Sequence, residues 1–175
     1  MSVETYLAGE NDGQWRHEFV DGHVFAMAGA SERHNVVRLN IAGSLNQSID
    51  EPCRVFDGDM KLRIEQTSDV RFYYPDIFVS CATDNDDYVR RDAVLIIEVL
   101  SPSTERTDRF EKFQAYTSLP MLSEYVIVEQ DVPRLEVYRR RTGWDRELFG
   151  AGASVTFESI AQTMTMDQIY RRVRF

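Results

Sequence analysis

Two carboxylates stand inside runs of residues that otherwise belong in a protein core. Asp76 lies in Tyr73-Tyr74-Pro75-Asp76-Ile77-Phe78-Val79, and Glu98 in Val94-Leu95-Ile96-Ile97-Glu98-Val99-Leu100. An acid among branched aliphatics is costly to bury, so it needs a counter-charge, a metal, or a strand end that opens into a cleft. Lys112 follows in a segment with helical character. The order Pro-Asp, then Glu, then Lys fits metal-assisted cutting of a phosphodiester.

The chemistry is specific. Magnesium and manganese take hard oxygen ligands, usually one or two carboxylates, and keep several waters. Asp76 and Glu98 on adjacent strand ends could supply the carboxylates, with the Val99 carbonyl as a further ligand. Such an ion polarises a phosphate oxygen and acidifies a water. A nearby ammonium such as Lys112 could orient that water or stabilise the transition state. The chain has 18 arginines and only two lysines, Lys61 and Lys112. A lysine kept in so arginine-biased a chain points mildly to a specific task, because it is a compact, tunable charge.

Positioning these groups requires a sheet. Asp76–Cys81 and Val94–Leu100 are nearly all apolar, as expected of central strands covered on both faces. Ser101-Pro102-Ser103-Thr104 halts the second strand and offers capping hydroxyls to a helix reaching about Leu119. Upstream, a short helix over Ser2–Gly9 starts at Ser2. Arg16–Val20 and His23–Met27 flank Asp21-Gly22, a tight-turn dipeptide. A helix runs from Ser31 to about Ser48, with Val36, Val37, Ile41, Leu45 and Ile49 near helical spacing. Arg54–Phe56 and Met60–Glu65 are strands around Asp57-Gly58-Asp59, and Thr83-Asp84-Asn85-Asp86-Asp87 is a polar loop. Glu124–Glu129, Arg134–Arg140 and Asp145–Phe149 form an antiparallel meander, Gly150–Ala153 a loop, and Met166–Val173 a closing helix. The reading is one α/β domain over residues 1–175.

Bulk properties narrow the class. A composition 43% apolar and 28% charged is that of a globular protein, and no run approaches a membrane span. The N-terminus lacks a signal-like apolar core, and Cys53 and Cys81 read as reduced core thiols, so a cytoplasmic setting is expected. His17, His23 and His34 match no zinc spacing. The net charge of -9 argues against an indiscriminate nucleic-acid binder. It leaves room for an enzyme that meets the backbone through a local patch and a divalent ion.

Several segments in order resemble one family. Pro75-Asp76, Glu98-Val99-Leu100 and Lys112 resemble the core of the PD-(D/E)XK nuclease superfamily. His17-Glu18-Phe19-Val20-Asp21-Gly22, Met27-Ala28-Gly29-Ala30-Ser31, Tyr74-Pro75-Asp76 and Glu98-Val99-Leu100-Ser101-Pro102-Ser103-Thr104 are similar to the Uma-type restriction endonucleases, from the first helix to about Arg140. The resemblance implies a restriction-endonuclease-like central mixed β-sheet flanked by helices, a Mg²⁺ or Mn²⁺ site, DNA as substrate and a homodimer. Asp76 and Glu98 match the two metal-binding acids, and Glu18 matches an N-terminal glutamate near the metal. The usual lysine two residues after the glutamate is replaced by Leu100. Lys112, in Asp108-Arg109-Phe110-Glu111-Lys112-Phe113, takes the place of a substitute on the following helix.

Each residue also has a plainer reading. Lys112 could make an ordinary surface pair with Asp108 one turn away, since it lies off the Phe110/Phe113 face. Glu18 could pair with an arginine beside its hairpin. His34 could cap or pack rather than touch substrate or product, and Lys61 is most simply a solvent-facing strand residue, or else edges the cleft. Arg139-Arg140-Arg141 and Arg171, Arg172 and Arg174 could meet phosphates, but solvated faces or dimer contacts suit them better. Two other functions stay open: a catalytically silent nuclease-fold module that binds nucleic acid or a protein, and general acid–base work by Asp76 and Glu98 on a sugar.

Overall fold

The computed structural model describes residues 1–12, 15–27, 29–66, 69–83 and 86–175. The first helix, α1 (Val3–Asp12), begins where the Ser2 hydroxyl accepts the Thr5 N–H at 3.2 Å. β1 (His17–Val20) and β2 (His23–Ala26) then form the expected hairpin. Its turn needs left-handed backbone twice, and Asp21 (φ 48°) and Gly22 (φ 81°) supply it. α2 (Glu32–Ser48) starts at the Ser31 cap and buries His34, Val37, Ile41 and Leu45. Ala28, in the motif Met27–Ser31, lies outside the described residues.

β3 (Arg54–Asp57) and β4 (Lys61–Gln66) flank the Asp57–Asp59 turn but do not pair with each other. The turn carries the chain from one sheet into another. β5 (Asp69–Tyr73), β6 (Ile77–Ser80), β7 (Val89–Arg90) and β8 (Leu95–Val99) follow. The polar loop expected over Thr83–Asp87 includes Asp84 and Asn85, which lie outside the described residues.

A helical segment over 105–117 comes next, comprising a π-helical stretch, Thr107–Lys112, that continues into α3 (Phe113–Thr117). The meander is present as β9 (Glu124–Val128), β10 (Arg134–Arg139) and β11 (Arg146–Gly150). A hairpin not foreseen, β12 (Ser154–Phe157) with β13 (Gln162–Thr165), leads to α4 (Met166–Ile169). α4 is shorter than the expected Met166–Val173 helix, and Arg172 adopts a left-handed φ of 65° just beyond it.

The strands make a six-stranded sheet, β11-β10-β9-β8-β6-β3, and a five-stranded sheet, β2-β1-β5-β4-β7. β8 runs parallel to β9 and antiparallel to β6, so the larger sheet is mixed. β6 and β8 are buried along their whole length, as their apolar runs require. Alternation splits their side chains between two layers. Ile97 and Val99 pack with Val37, Ile41 and Leu45 of α2. Ile96 and Leu100 pack with Ala115 and Tyr116 of α3. Glu98 has the parity of Ile96 and Leu100, which sends it toward the π segment.

The cysteines correct an expectation. Cys53 and Cys81 are joined in a disulfide rather than held as free thiols. The end pair of the β3–β6 ladder is Arg54↔Ser80, so the next residue outward on each strand faces its counterpart. Among the described residues no helix is long and apolar enough to cross a membrane.

Candidate active site

The β6–β8 register generates the site. Ile77 pairs with Ile97, so Asp76 and Glu98 are opposite one another just past the last paired residues. Their backbones and carboxylates interlock. The Asp76 N–H donates to Glu98 Oε2 at 3.2 Å, and the Val99 N–H donates to Asp76 Oδ2 at 2.8 Å. Val99, expected as a metal ligand through its carbonyl, is thus brought to Asp76 by its N–H.

Lys112 closes the other side. Its ammonium is 3.1 Å from Glu18 Oε1, 3.3 Å from Glu98 Oε1 and 3.3 Å from Asp108 Oδ1. Glu18 comes from β1 in the smaller sheet, so this one cation ties both sheets to the helix after β8. The Tyr116 hydroxyl donates to Glu98 Oε1 at 2.8 Å. Asp108 and Lys112 both lie on the π stretch and are buried, whereas Phe110 is 68% exposed. The Phe110/Phe113 face is thus split, with Phe110 pointing out and Phe113 packed against Tyr125 and Tyr138, and the Asp108–Lys112 pair is an interior contact. π turns widen a helix and re-aim its side chains, often at functional sites.

His34, from the first turn of α2, adds a second nitrogen. Its Nε2 is 3.1 Å from Asp76 Oδ2, while its Nδ1 is buried without a hydrogen-bond partner among the described residues. Sequence reasoning weighed His34 chiefly as a capping or packing residue. Its place on the buried stripe of α2, in the helical turn before Val37 and Ile41, was the available signal.

Four carboxylates, Glu18, Asp76, Glu98 and Asp108, share Lys112 and His34. Burial lifts the Glu98 carboxyl well above the usual range, and the nearby Asp108 and Asp76 charges add to this against the pull of Lys112. Asp108 is likewise raised by burial. Burial also acts upward on Asp76, but the His34 ring, the Val99 N–H and Lys112 outweigh it and hold the carboxyl below its ordinary value. Lys112 is the converse: burial disfavours its charge, yet Glu98, Glu18 and Asp108 hold its pKa well above normal. Two neighbouring acids pushed in opposite directions are a frequent mark of functional sites.

Other basic candidates sit elsewhere. Lys61 is buried, not solvent-facing, and lies over the Tyr74 ring at 5.6 Å. Arg139 is buried among Glu124, Glu147 and the Thr156 carbonyl. Arg140 donates to the carbonyls of Leu122 and Leu119, and Arg141 pairs with Glu158. That run is architectural. Its signal was the acids on either side of it in the chain, Glu124 before and Glu147 and Glu158 after.

The donors suit a hard cation. Among the described residues no group of three or more His, Cys, Asp and Glu side chains is arranged to hold a metal. Magnesium needs only one or two carboxylates, completing its shell with water. Asp76 retains 18% side-chain exposure, and its Oδ1 takes no hydrogen bond from the described residues, so an oxygen remains open beside Glu98.

Comparison with known proteins bears on this arrangement. A family model described as Uma2, putative restriction endonuclease, matches residues 3–166, a span that holds all of these side chains. The chain belongs to the Uma2 family. Two uncharacterized Synechocystis sp. proteins are similar to this Uma2 chain. One, slr1290, is 32% identical over 182 residues, covering 100% of this chain and 94% of its own length. The other, sll1609, is 32% identical over 165 residues, covering 90% and 92%. A crystal structure of a putative nuclease of the DUF820 group from Anabaena variabilis superposes with a TM-score of 0.72. It covers 90% of this chain and 91% of its own, at 17% identity, and so shows that the two share a fold.

Proposed function

We propose that this Uma2 protein is a divalent-metal-dependent endonuclease that hydrolyses DNA phosphodiester bonds. The observation that carries the reading is the interlocked Asp76–Glu98 pair with Lys112 on its flank. Asp76 and Glu98 are the residues that would hold Mg²⁺ or Mn²⁺, with the Val99 carbonyl and Glu18 contributing. When bound, the ion supplies charge stabilisation to the scissile phosphate and a more acidic water.

The chain's own groups do the rest. His34 and the Val99 N–H fix the Asp76 carboxylate, so that its open oxygen keeps one orientation. Tyr116 and the Asp76 N–H fix Glu98 in the same way. Lys112 places a fixed positive charge where negative charge grows as water oxygen bonds to phosphorus and the P–O ester bond breaks. The proton of the attacking water passes to solvent, and the leaving oxygen takes one up. One domain spanning residues 1–175, a homodimeric state and a cytoplasmic setting belong to this reading. The setting rests on the substrate, since the cysteines no longer argue for it.

A second reading has its own support. Lys112 is committed to three carboxylates, and Leu100 fills the position of the superfamily's usual lysine, which suits a catalytically silent nuclease-fold module that only binds. Plasmid nicking separates the two. Purified protein with Mg²⁺ or Mn²⁺ should convert supercoiled DNA to the nicked form, and EDTA, Asp76→Asn or Glu98→Gln should stop it. Cutting that survives EDTA or both substitutions rules out the proposed site, and metal-independent binding without cutting by wild type favours the silent module.

A further inference from the structure

Arg38 is the one arginine sheltered from full solvent that makes neither a hydrogen bond nor an ion pair among the described residues. Its Nε is buried without an acceptor. Arg63 and Arg71 share that buried Nε but have carboxylates within reach, Glu65 for the first and Asp21 and Asp69 for the second. A guanidinium has five donors and no way to discharge, so a half-buried one whose Nε is shut off without an acceptor is incomplete.

Its surroundings say what would complete it. Arg38 is one helical turn after His34, the residue on Asp76. The β3–β6 register pairs Asp57 with Ile77, and β6–β8 pairs Ile77 with Ile97. Extending that register one residue outward puts Gly58, the turn residue after β3, in a row with Asp76 and Glu98 at the ends of three strands. Arg38 lies against the first member of that row. A Cβ on Gly58 would come within 2.8 Å of Arg38 Nη1, and the same point is 3.9 Å from the Pro75 carbonyl. A side chain at 58 would force the guanidinium tip to shift from this position. Asp59, on the same turn, is bound to Arg16 at 3.1 Å and leaves Arg38 unneutralised.

We propose that Arg38, seated by Gly58 at the end of the acid row, is a phosphate-binding site that grips the nucleic-acid backbone beside the scissile bond. The inference rests on the nuclease reading for its ligand, and on the row geometry for its place. Arginine suits this use because its planar fork meets two phosphate oxygens at once.

Two variants test it together with wild type. Arg38→Ala removes the charge. Gly58→Ala keeps the charge and displaces the fork. DNA affinity is read by fluorescence anisotropy in Ca²⁺ buffer over a salt series, and the anion site by thermal shift with sodium sulfate in EDTA. Each variant is expected to lose roughly tenfold in DNA affinity, and Arg38→Ala to reduce the salt slope by about 1. Sulfate is expected to stabilise wild type and neither variant, while Mn²⁺ stabilises all three proteins, showing them folded with the acids intact. Unchanged affinity, slope and sulfate response in both variants would overturn the Arg38 site and leave the nuclease reading standing. A sulfate response that depends on Arg38, in a protein that binds no nucleic acid, would overturn the phosphate-backbone assignment together with the nuclease reading.

Discussion

Asp76 and Glu98 orient each other through the main chain: the Asp76 N–H holds Glu98 Oε2 at 3.2 Å, and the residue after Glu98 holds Asp76 Oδ2 at 2.8 Å. Neither carboxylate can turn without breaking a bond made at the other's strand. A substitution that keeps shape but removes charge should therefore preserve the fold while removing activity. Asp76→Asn is expected to lower nicking on the order of 10²–10³-fold, with a circular dichroism spectrum like wild type. Retained activity would detach Asp76 from the chemistry.

Glu98 should trade stability for function. Its folded pKa lies above the unfolded value because of burial, so folding takes up a proton and the cost of its charge grows as pH rises above the ordinary carboxylate range. Glu98→Gln in divalent-free buffer is expected to raise the melting temperature at pH 8 by roughly 2–4 °C, equivalent to about 1 kcal/mol. The gain should shrink as pH falls toward the ordinary carboxylate range, because the raised pKa lets wild-type Glu98 shed its buried charge there. A gain independent of pH would point to packing instead.

Lys112 has the opposite sign. Its folded pKa is raised by Glu98, Glu18 and Asp108 against the effect of burial. The stability it contributes is fully present below the unfolded lysine value of 10.5 and is lost as pH climbs through the folded one. Lys112→Met should be destabilised at pH 8 by about 3–5 kcal/mol, because it strands buried carboxylates. Denaturant titrations from pH 8 to 11 should show a constant advantage of wild type over this variant that begins to fall only above pH 10.5.

The arginine run in the meander predicts a contrast. Arg139→Ala should cost about 3–5 kcal/mol, since buried Glu124 loses its partner. Arg141→Ala, on an exposed pair with Glu158, should cost about 0–1 kcal/mol. Neither should change the salt dependence of DNA binding. A reduced slope in Arg141→Ala would return that run to the nucleic-acid surface.

The Cys53–Cys81 link should be measurable as covalent chemistry. Intact mass and thiol alkylation with and without reductant should report no free cysteine until the protein is reduced. Reduction should lower stability by about 2–4 kcal/mol. Two alkylated thiols without reductant would refute the bond.

Much of this architecture could be read from the residues, for identifiable reasons. Asp21-Gly22 specifies its turn locally, Ser31 caps its helix locally, and the aliphatic runs around Asp76 and Glu98 could only be central strands. The Arg134–Gly150 portion of the meander was legible from alternation and turn residues. What escaped depends on long-range pairing. β3 and β4 flank one turn yet enter different sheets, a choice made by β6 and β5, and the disulfide follows from the same β3–β6 register. The π stretch hid the orientation of Lys112: at 100° per residue Phe110 points inward, whereas the widened turn exposes it and buries Asp108 and Lys112. His34 was visible as a residue, but its contact with Asp76 required α2 to be placed against β6.

Calorimetric titration of Mn²⁺ into wild type, Asp76→Asn and Glu98→Gln at one pH tests the central claim most directly. The account predicts one clear binding event in wild type, abolished or weakened at least tenfold in each variant with the fold retained. Equal Mn²⁺ affinity in all three proteins would contradict it.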